Sequence, residues 1–198
     1  MVDNSPELNS KIDAAQQEEN RWSEIIATYR DEYDENLISS FAFFERMVKG
    51  LTERYQVDNS TIDPAALEGL WKIFQATRKA VVEAYGFIKT EPETFREKIT
   101  AAGMKTIDGL FHADMFSGKG STLWHTLQGP RALVEGGLED EYGIKTHVPY
   151  TGQSPDLTKE FIASGNGEKI SKVLQPGFIE KSTGKVIREA VIETAQIS

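Results

Sequence analysis

The chain contains no cysteine. That rules out disulfides and thiolate metal sites, removes the small secreted scaffolds from consideration, and makes a reducing, cytoplasmic setting the expectation. No apolar run reaches the roughly 20 residues that a membrane-spanning helix requires. The opening Met-Val-Asp-Asn-Ser-Pro-Glu also lacks the basic stretch and apolar run of a secretory signal. Positive charge is in deficit: 22 Lys and Arg face 31 Asp and Glu, a net charge of -9, which disfavours nonspecific attraction to nucleic acid or anionic lipid.

Glycine and proline are missing altogether between Pro6 and Gly50. Across that gap the apolar residues Trp22, Ile26, Tyr29, Tyr33, Leu37, Phe41, Phe44, Val48, Leu51 and Tyr55 recur with a period of roughly 3.7, the spacing of an amphipathic helix. A continuous helix from Trp22 to Tyr55 would run roughly 50 Å, longer than the ~30 Å diameter of a small domain. Self-association through Trp22, Ile26, Tyr29, Tyr33, Leu37, Phe41, Phe44 and Val48 is therefore expected, with a homodimer covering the stripe. The carboxylates beside Arg30 (Asp31, Glu32, Asp34 and Glu35) read as a solvated helix face, since no base or nucleophile accompanies them.

Hydrophobic residues at 39%, with 10% aromatics, suffice for a real core. Charge is uneven. Residues 1–143 hold 15 Lys/Arg against 25 Asp/Glu, net -10, while residues 144–198 hold 7 against 6, net +1. The expected organisation is a loosely held N-terminus over 1–15, a long helix and helical bundle over 16–143, and a small β-rich domain over 144–198. The fold class is mainly α with a small C-terminal β domain, α+β.

Asp63-Pro64 reads as an N-cap with proline at the first helical position, opening a helix that carries Leu67, Leu70, Trp71, Phe74, Val81, Val82, Tyr85 and Ile88. Thr90, Pro92 and Glu93 read as a capping box for the next helix, with Gly103 a point of bending or interruption. Ser121 caps a fourth helix, broken near Gly129-Pro130 and stopped at Gly143. The intervening loop, His112 to Thr122, invites two chemical readings. Gly118-Lys119-Gly120-Ser121-Thr122 lacks the leading glycine of a phosphate loop and places a glycine after the lysine. The spacing of His112, Asp114 and His125 matches no dedicated metal site. An ordinary connection is expected, with no metal, no cofactor and no catalytic residues.

Beyond Gly143 the texture changes. Ile144 to Tyr150 is short and β-branched, Thr151-Gly152 is a turn, and Ser154-Pro155 suggests a brief helix bearing Leu157, Phe161 and Ile162. Residues 168–194 read as two strands around a turn at Lys181 to Gly184. Val186, Ile187, Ala190 and Val191 also stand at helical spacing, so a terminal helix stays open on local grounds.

Gly143-Ile144, Gly152 with Ser154-Pro155, Val173-Leu174-Gln175-Pro176-Gly177-Phe178 and Arg188-Glu189-Ala190-Val191-Ile192 together resemble the C-terminal β-domain of GrpE-type nucleotide exchange factors, the partners of DnaK-type chaperones. The likeness covers about a quarter of the chain. It departs at Gln153-Ser154-Pro155, where the family has Phe-Asp-Pro, at Thr158 in place of a histidine, and at Glu189 in place of a proline. The resemblance implies a non-enzymatic co-chaperone that binds the chaperone's ATPase domain and promotes ADP release. It implies pairing through the long helices, and Pro176, Gly177, Phe178, Arg188 and Ala190 as binding or scaffold positions. A different class of reading is an acidic helical adaptor that acts through self-assembly along its stripe. A β-hairpin over 169–194 favours the first; a helix there removes its main support.

Overall fold

The computed structural model describes residues 6–28, 36–57, 63–117 and 121–196. Five helices precede six short strands: α1 (Pro6–Thr28), α2 (Leu37–Val57), α3 (Pro64–Tyr85), α4 (Pro92–Ser117) and α5 (Thr122–Tyr142), then β1 (Ile144–His147), β2 (Glu160–Ser164), β3 (Lys169–Gln175), β4 (Gly177–Glu180), β5 (Val186–Arg188) and β6 (Ala190–Ala195). The mainly helical α+β class expected from sequence is the one observed. Helix α1 begins at Pro6, so most of the stretch expected to be loosely held is helical.

The continuous helix from Trp22 to Tyr55 is replaced by two helices. Trp22 Nε1 donates to Glu45 Oε2 at 2.9 Å, whereas 23 residues of unbroken helix would hold those residues roughly 35 Å apart. Helices α1 and α2 therefore lie against each other and do not run on as one. Asn36 starts α2 by accepting from the Ser39 N–H at 2.7 Å, the N-cap arrangement that interrupts an apolar periodicity without spoiling its phase. Because the stripe folds over, its two halves are covered from within the chain. Trp22, Leu37, Phe41, Phe44 and Val48 are all buried in one core with Leu70, Phe74, Leu127 and Leu138. Ile26 packs against that core, and Tyr29 and Tyr33 lie outside the described residues. The second copy expected to cover this face is not needed for it.

Helix contacts explain several residues that sequence reading treats as breaks. Helix α4 runs unbroken through Gly103, where an added Cβ would fall 2.9 Å from Leu138 of α5. Glycine there permits close approach and does not bend the helix. At Gly137 of α5 a Cβ would meet the Leu37 Cα at 2.7 Å, so the N-terminus of α2 sits directly on α5. Glu141 Oε1 accepts the Leu37 N–H at 2.8 Å, satisfying a helix-end donor from across the bundle. Thr77 and Thr106 pair at 2.7 Å between α3 and α4, inside the core. Helix α5 continues through the buried Pro130, where the sequence suggested a break, although the proline has no N–H to donate there.

The caps fall largely as expected. Asp63 Oδ1 accepts the Ala65 N–H at 3.0 Å and Ser121 Oγ the Trp124 N–H at 3.1 Å. Gly143 ends α5 with φ 67°, a left-handed conformation that glycine adopts without penalty. For α4 the sequence pointed one residue early: the chain enters at Glu91, whose carbonyl accepts the Phe95 N–H, and not at Thr90.

The strands form two three-stranded sheets. One is antiparallel in the order β1-β4-β5; the other has the order β2-β6-β3, with β2 parallel and β3 antiparallel to β6. The hairpin β4–β5 turns through Lys181 to Gly184, where Gly184 has φ 72° and the Glu180 N–H donates to the Lys185 carbonyl at 2.8 Å. The terminal helix is excluded: Ala190, Ile192 and Thr194 alternate inward with period 2, as a strand requires. The brief helix after Pro155 is also overturned, since residues 160–164 are strand β2. Its presumed inner residues Leu157 and Phe161 are exposed, and Glu160 is the buried one.

Candidate functional site

The five residues singled out near the C-terminus meet at one corner. Strand β3 leaves its sheet at Pro176 and continues as β4 in the other; β5 returns at Glu189 as β6. The two crossings lie against each other. A Cβ at Gly177 would stand 2.6 Å from the Ala190 nitrogen and 3.0 Å from the Arg188 oxygen, so only glycine lets the two backbones touch. Pro176, Gly177, Phe178 and Ala190 are buried.

Arg188 ties the corner to the helical bundle. Its two terminal nitrogens reach the Asp108 carboxylate of α4 at 2.7 and 2.5 Å, and Nη2 also donates to the Pro176 carbonyl at 2.7 Å. Gln175 Nε2 donates to the same carboxylate at 3.1 Å. The guanidinium lies 4.6 Å from the centroid of Phe178, its cross-strand partner. Phe178 is fully buried and belongs to the core of the helices. A second apolar contact joins Phe111 of α4 to Ile170, Val173 and Ile192. These five residues therefore scaffold the β domain and weld it to α4; four of them are closed to any partner.

A buried carboxylate organises the segment leading into β2. Glu160 has its side chain fully enclosed, accepts from the Asp156 N–H at 2.8 Å, and pairs with His147 Nε2 of β1 at 3.0 Å. The Ala190 N–H reaches the Lys159 carbonyl at 2.9 Å, fixing the start of the parallel β2–β6 ladder. Sequence periodicity assigns this segment to a helix because Leu157, Phe161 and Ile162 are apolar. A buried acid has no periodic signature, so the His147–Glu160 pairing is not legible in the sequence.

The face that remains open is apolar. Among the described residues the exposed large hydrophobic side chains are Phe43, Val57, Tyr150, Leu157, Phe161 and Ile187. Four of the six belong to the β domain, where Tyr150 is 81% and Leu157 69% exposed. Phe161 of the edge strand β2 stands beside Val191, which is itself half-buried, so this side of the sheet carries an apolar pair at its edge. Nothing within the described chain covers it.

The metal grouping of His112, Asp114 and His125 is not assembled among the described residues. Asp114 is engaged by Gln128 at 3.1 Å and by Arg131 at 3.5 Å. His112 is turned against Phe111 and His125 against Trp124. Among the described residues no group of three metal-ligating side chains occurs, and no helix is long and apolar enough to cross a membrane. Residues 118–120 of the glycine-lysine run and the acidic run beside Arg30 lie outside the described residues.

No protein-family model matches the chain, and no characterised protein matches it in sequence.

Proposed function

We propose that this chain is a non-enzymatic exchange factor of the GrpE type, binding the ATPase domain of a DnaK-type chaperone and promoting ADP release. The observation that carries this reading is the hairpin β4–β5 within a C-terminal domain of six short strands, placed where the resemblance requires a β fold and entered directly from α5 through Gly143. The factor does no bond chemistry. It works by binding the open form of the partner's cleft more tightly than the closed form, so the partner's ADP affinity falls by the same factor.

The corner residues Pro176, Gly177, Phe178, Arg188 and Ala190 serve this function as scaffold. Contact falls to the exposed apolar side chains of the β domain: Phe161 beside Val191 on the β2–β6 sheet, Tyr150 and Leu157 in the segment before it, and Ile187 on β5 of the other sheet. Trp22, Leu37, Phe41, Phe44 and Val48 of the helical stripe lie in the chain's own core, so the proposal places no pairing of two copies on these side chains. The adaptor reading is likewise left without these five as its surface.

The test is stopped-flow release of a fluorescent ADP analogue from a DnaK-type ATPase domain. Saturating protein should accelerate release at least about fivefold, the lower end of ordinary allosteric coupling. Phe161→Ala together with Tyr150→Ala should keep the circular dichroism of the parent and lose most of the acceleration. Unchanged release at saturating parent protein overturns the proposal.

A further inference from the structure

A cleft of about 410 Å³ opens between the end of α2 and the start of α3, in a part of the sequence far from the β domain. Its apolar walls are Tyr55, Leu67 and Trp71. Leu67 is buried, whereas the two aromatic rings pack on the core with one side and remain half-open on the other. Trp71 is braced by Phe74, with ring centroids 5.6 Å apart, so the indole is held in place before anything binds. The volume lies in the range of small-molecule sites and is too small for a helix.

The charges at the mouth decide the chemistry. Lys49 is matched by Glu45 at 2.8 Å, and that residue's carboxylate also takes the Trp22 indole N–H. Glu68 is matched by Lys72 at 2.6 Å. Glu53 lines the cleft with no cationic partner among the described residues. One uncompensated carboxylate beside a Trp and a Tyr ring is the combination that attracts a cation bearing an apolar body, since the ring faces and the acid draw the same charge. The surrounding helical portion, net -10 over residues 1–143, reinforces that sign.

We propose that the α2–α3 cleft is a binding site for a small organic cation of the aryl- or alkylammonium class, held by Trp71, Tyr55 and Glu53. The site is separate from the exchange-factor surface and does not depend on that reading.

The probe is benzyltrimethylammonium, with benzyl alcohol as the neutral and benzoate as the anionic control, titrated into the full chain while the Trp71 indole N–H and, in every variant, the backbone amides of residue 53 and Leu67 are followed by NMR. Saturable shifts from the cation at about 1 mM or tighter are expected, reasonable for about 11 non-hydrogen atoms. Trp71→Leu should weaken binding by about three- to thirtyfold, and Glu53→Gln should weaken it while leaving the fold unchanged. Glu135→Gln, remote on α5, should have no effect and guards against a general charge response. Equal binding of cation and alcohol, insensitivity to Glu53→Gln, or the absence of saturation each overturns the proposal; the last is the outcome if an apolar side chain of a protein partner is the occupant.

Discussion

Removing Asp108 should weaken the joint between the β domain and the bundle without uncoupling them, and the size of the effect follows from the contacts. The carboxylate is the acceptor for both Arg188 terminal nitrogens and for Gln175. The side chains are 17% and 33% exposed. Fully exposed pairs contribute about 0–1 kcal/mol, whereas stripping one partner from a fully buried pair costs about 3–5 kcal/mol. This pair stands between those limits, so Asp108→Ala should cost about 2–3 kcal/mol after allowing for solvent screening. Arg188→Ala should cost about 1 kcal/mol more, because it also removes the cation over Phe178 and the bond to Pro176. The double variant should be little worse than Arg188→Ala, giving a coupling of about 2–3 kcal/mol. Urea unfolding of the four proteins measures this. All three tryptophans lie in helices, so tryptophan fluorescence reports the bundle alone. Because Phe178 sits in the helical core, the fluorescence and far-ultraviolet midpoints should shift together. Additive single-variant effects, with coupling below about 0.5 kcal/mol, would refute the claim that the pair acts as a unit.

Phe44→Ser, in a fully buried position of the former stripe, should cost about 3–5 kcal/mol of stability, read from denaturant midpoints. If instead the variant stays fully folded and only changes sedimentation from dimer to monomer, the intramolecular core assignment fails. Gly177→Ala should cost about 1–3 kcal/mol by driving two backbones apart at the corner, whereas Gly136→Ala, with open space around it, should be neutral or slightly stabilising in the same melts. Two nearby carboxylates should give opposite pH dependences. The Lys181 ammonium holds Glu139 below its ordinary value, so that contribution is present above the unfolded carboxylate range and fades as pH falls through the folded pKa; Glu139→Gln should flatten that acid limb. Burial raises Glu141 despite its bond from Leu37, so its charged form opposes folding at neutral pH and the opposition is relieved as pH falls through the raised value. Stability measured from pH 3 to 7 in the two Gln variants separates the signs.

Much of the helical half was legible because helix ends and apolar periodicity are local properties. Asp63, Ser121 and Gly143 carry their caps in a few adjacent residues, and the structure uses all three. What periodicity cannot convey is where a phase-coherent stripe folds over. Residues before Thr28 and after Leu37 keep the same apolar phase, so one long helix and two helices packed on each other predict much the same buried set. The difference lies in Asn36, Gly137 and Glu141, which come together only in three dimensions. The glycines show the same limit. Gly103 reads as a break in sequence because its backbone freedom is visible there and its neighbour Leu138 is not.

The β domain shows how scaffold and contact residues exchange appearances in a sequence. Gly177, Phe178 and Arg188 stand out by type because each meets a strict geometric demand. Gly177 permits a backbone crossing, Phe178 plugs into the bundle, and Arg188 makes a forked bond to Asp108. Such demands are internal to the fold. Tyr150, Leu157, Phe161 and Ile187 look like ordinary core residues in sequence, and Leu157 and Phe161 read as inward on that basis. The fold turns Phe161 outward by burying its neighbour Glu160 between His147 and the Asp156 backbone, so one acid fixes the facing of β2 and its removal should matter for orientation as much as for stability. A shift of one residue in a strand exchanges its two faces. If Glu160 sets that phase, Glu160→Gln, which keeps the size and one acceptor, should preserve the exposed Phe161. Glu160→Leu keeps an inward side chain but loses both bonds, so it should loosen the β2–β6 pairing that carries Phe161 and Val191. Hydrogen exchange at the Ala190 and Ile192 amides discriminates the two, protected in the first variant and faster in the second; equal protection in both would show that the ladder, and not the acid, sets the face.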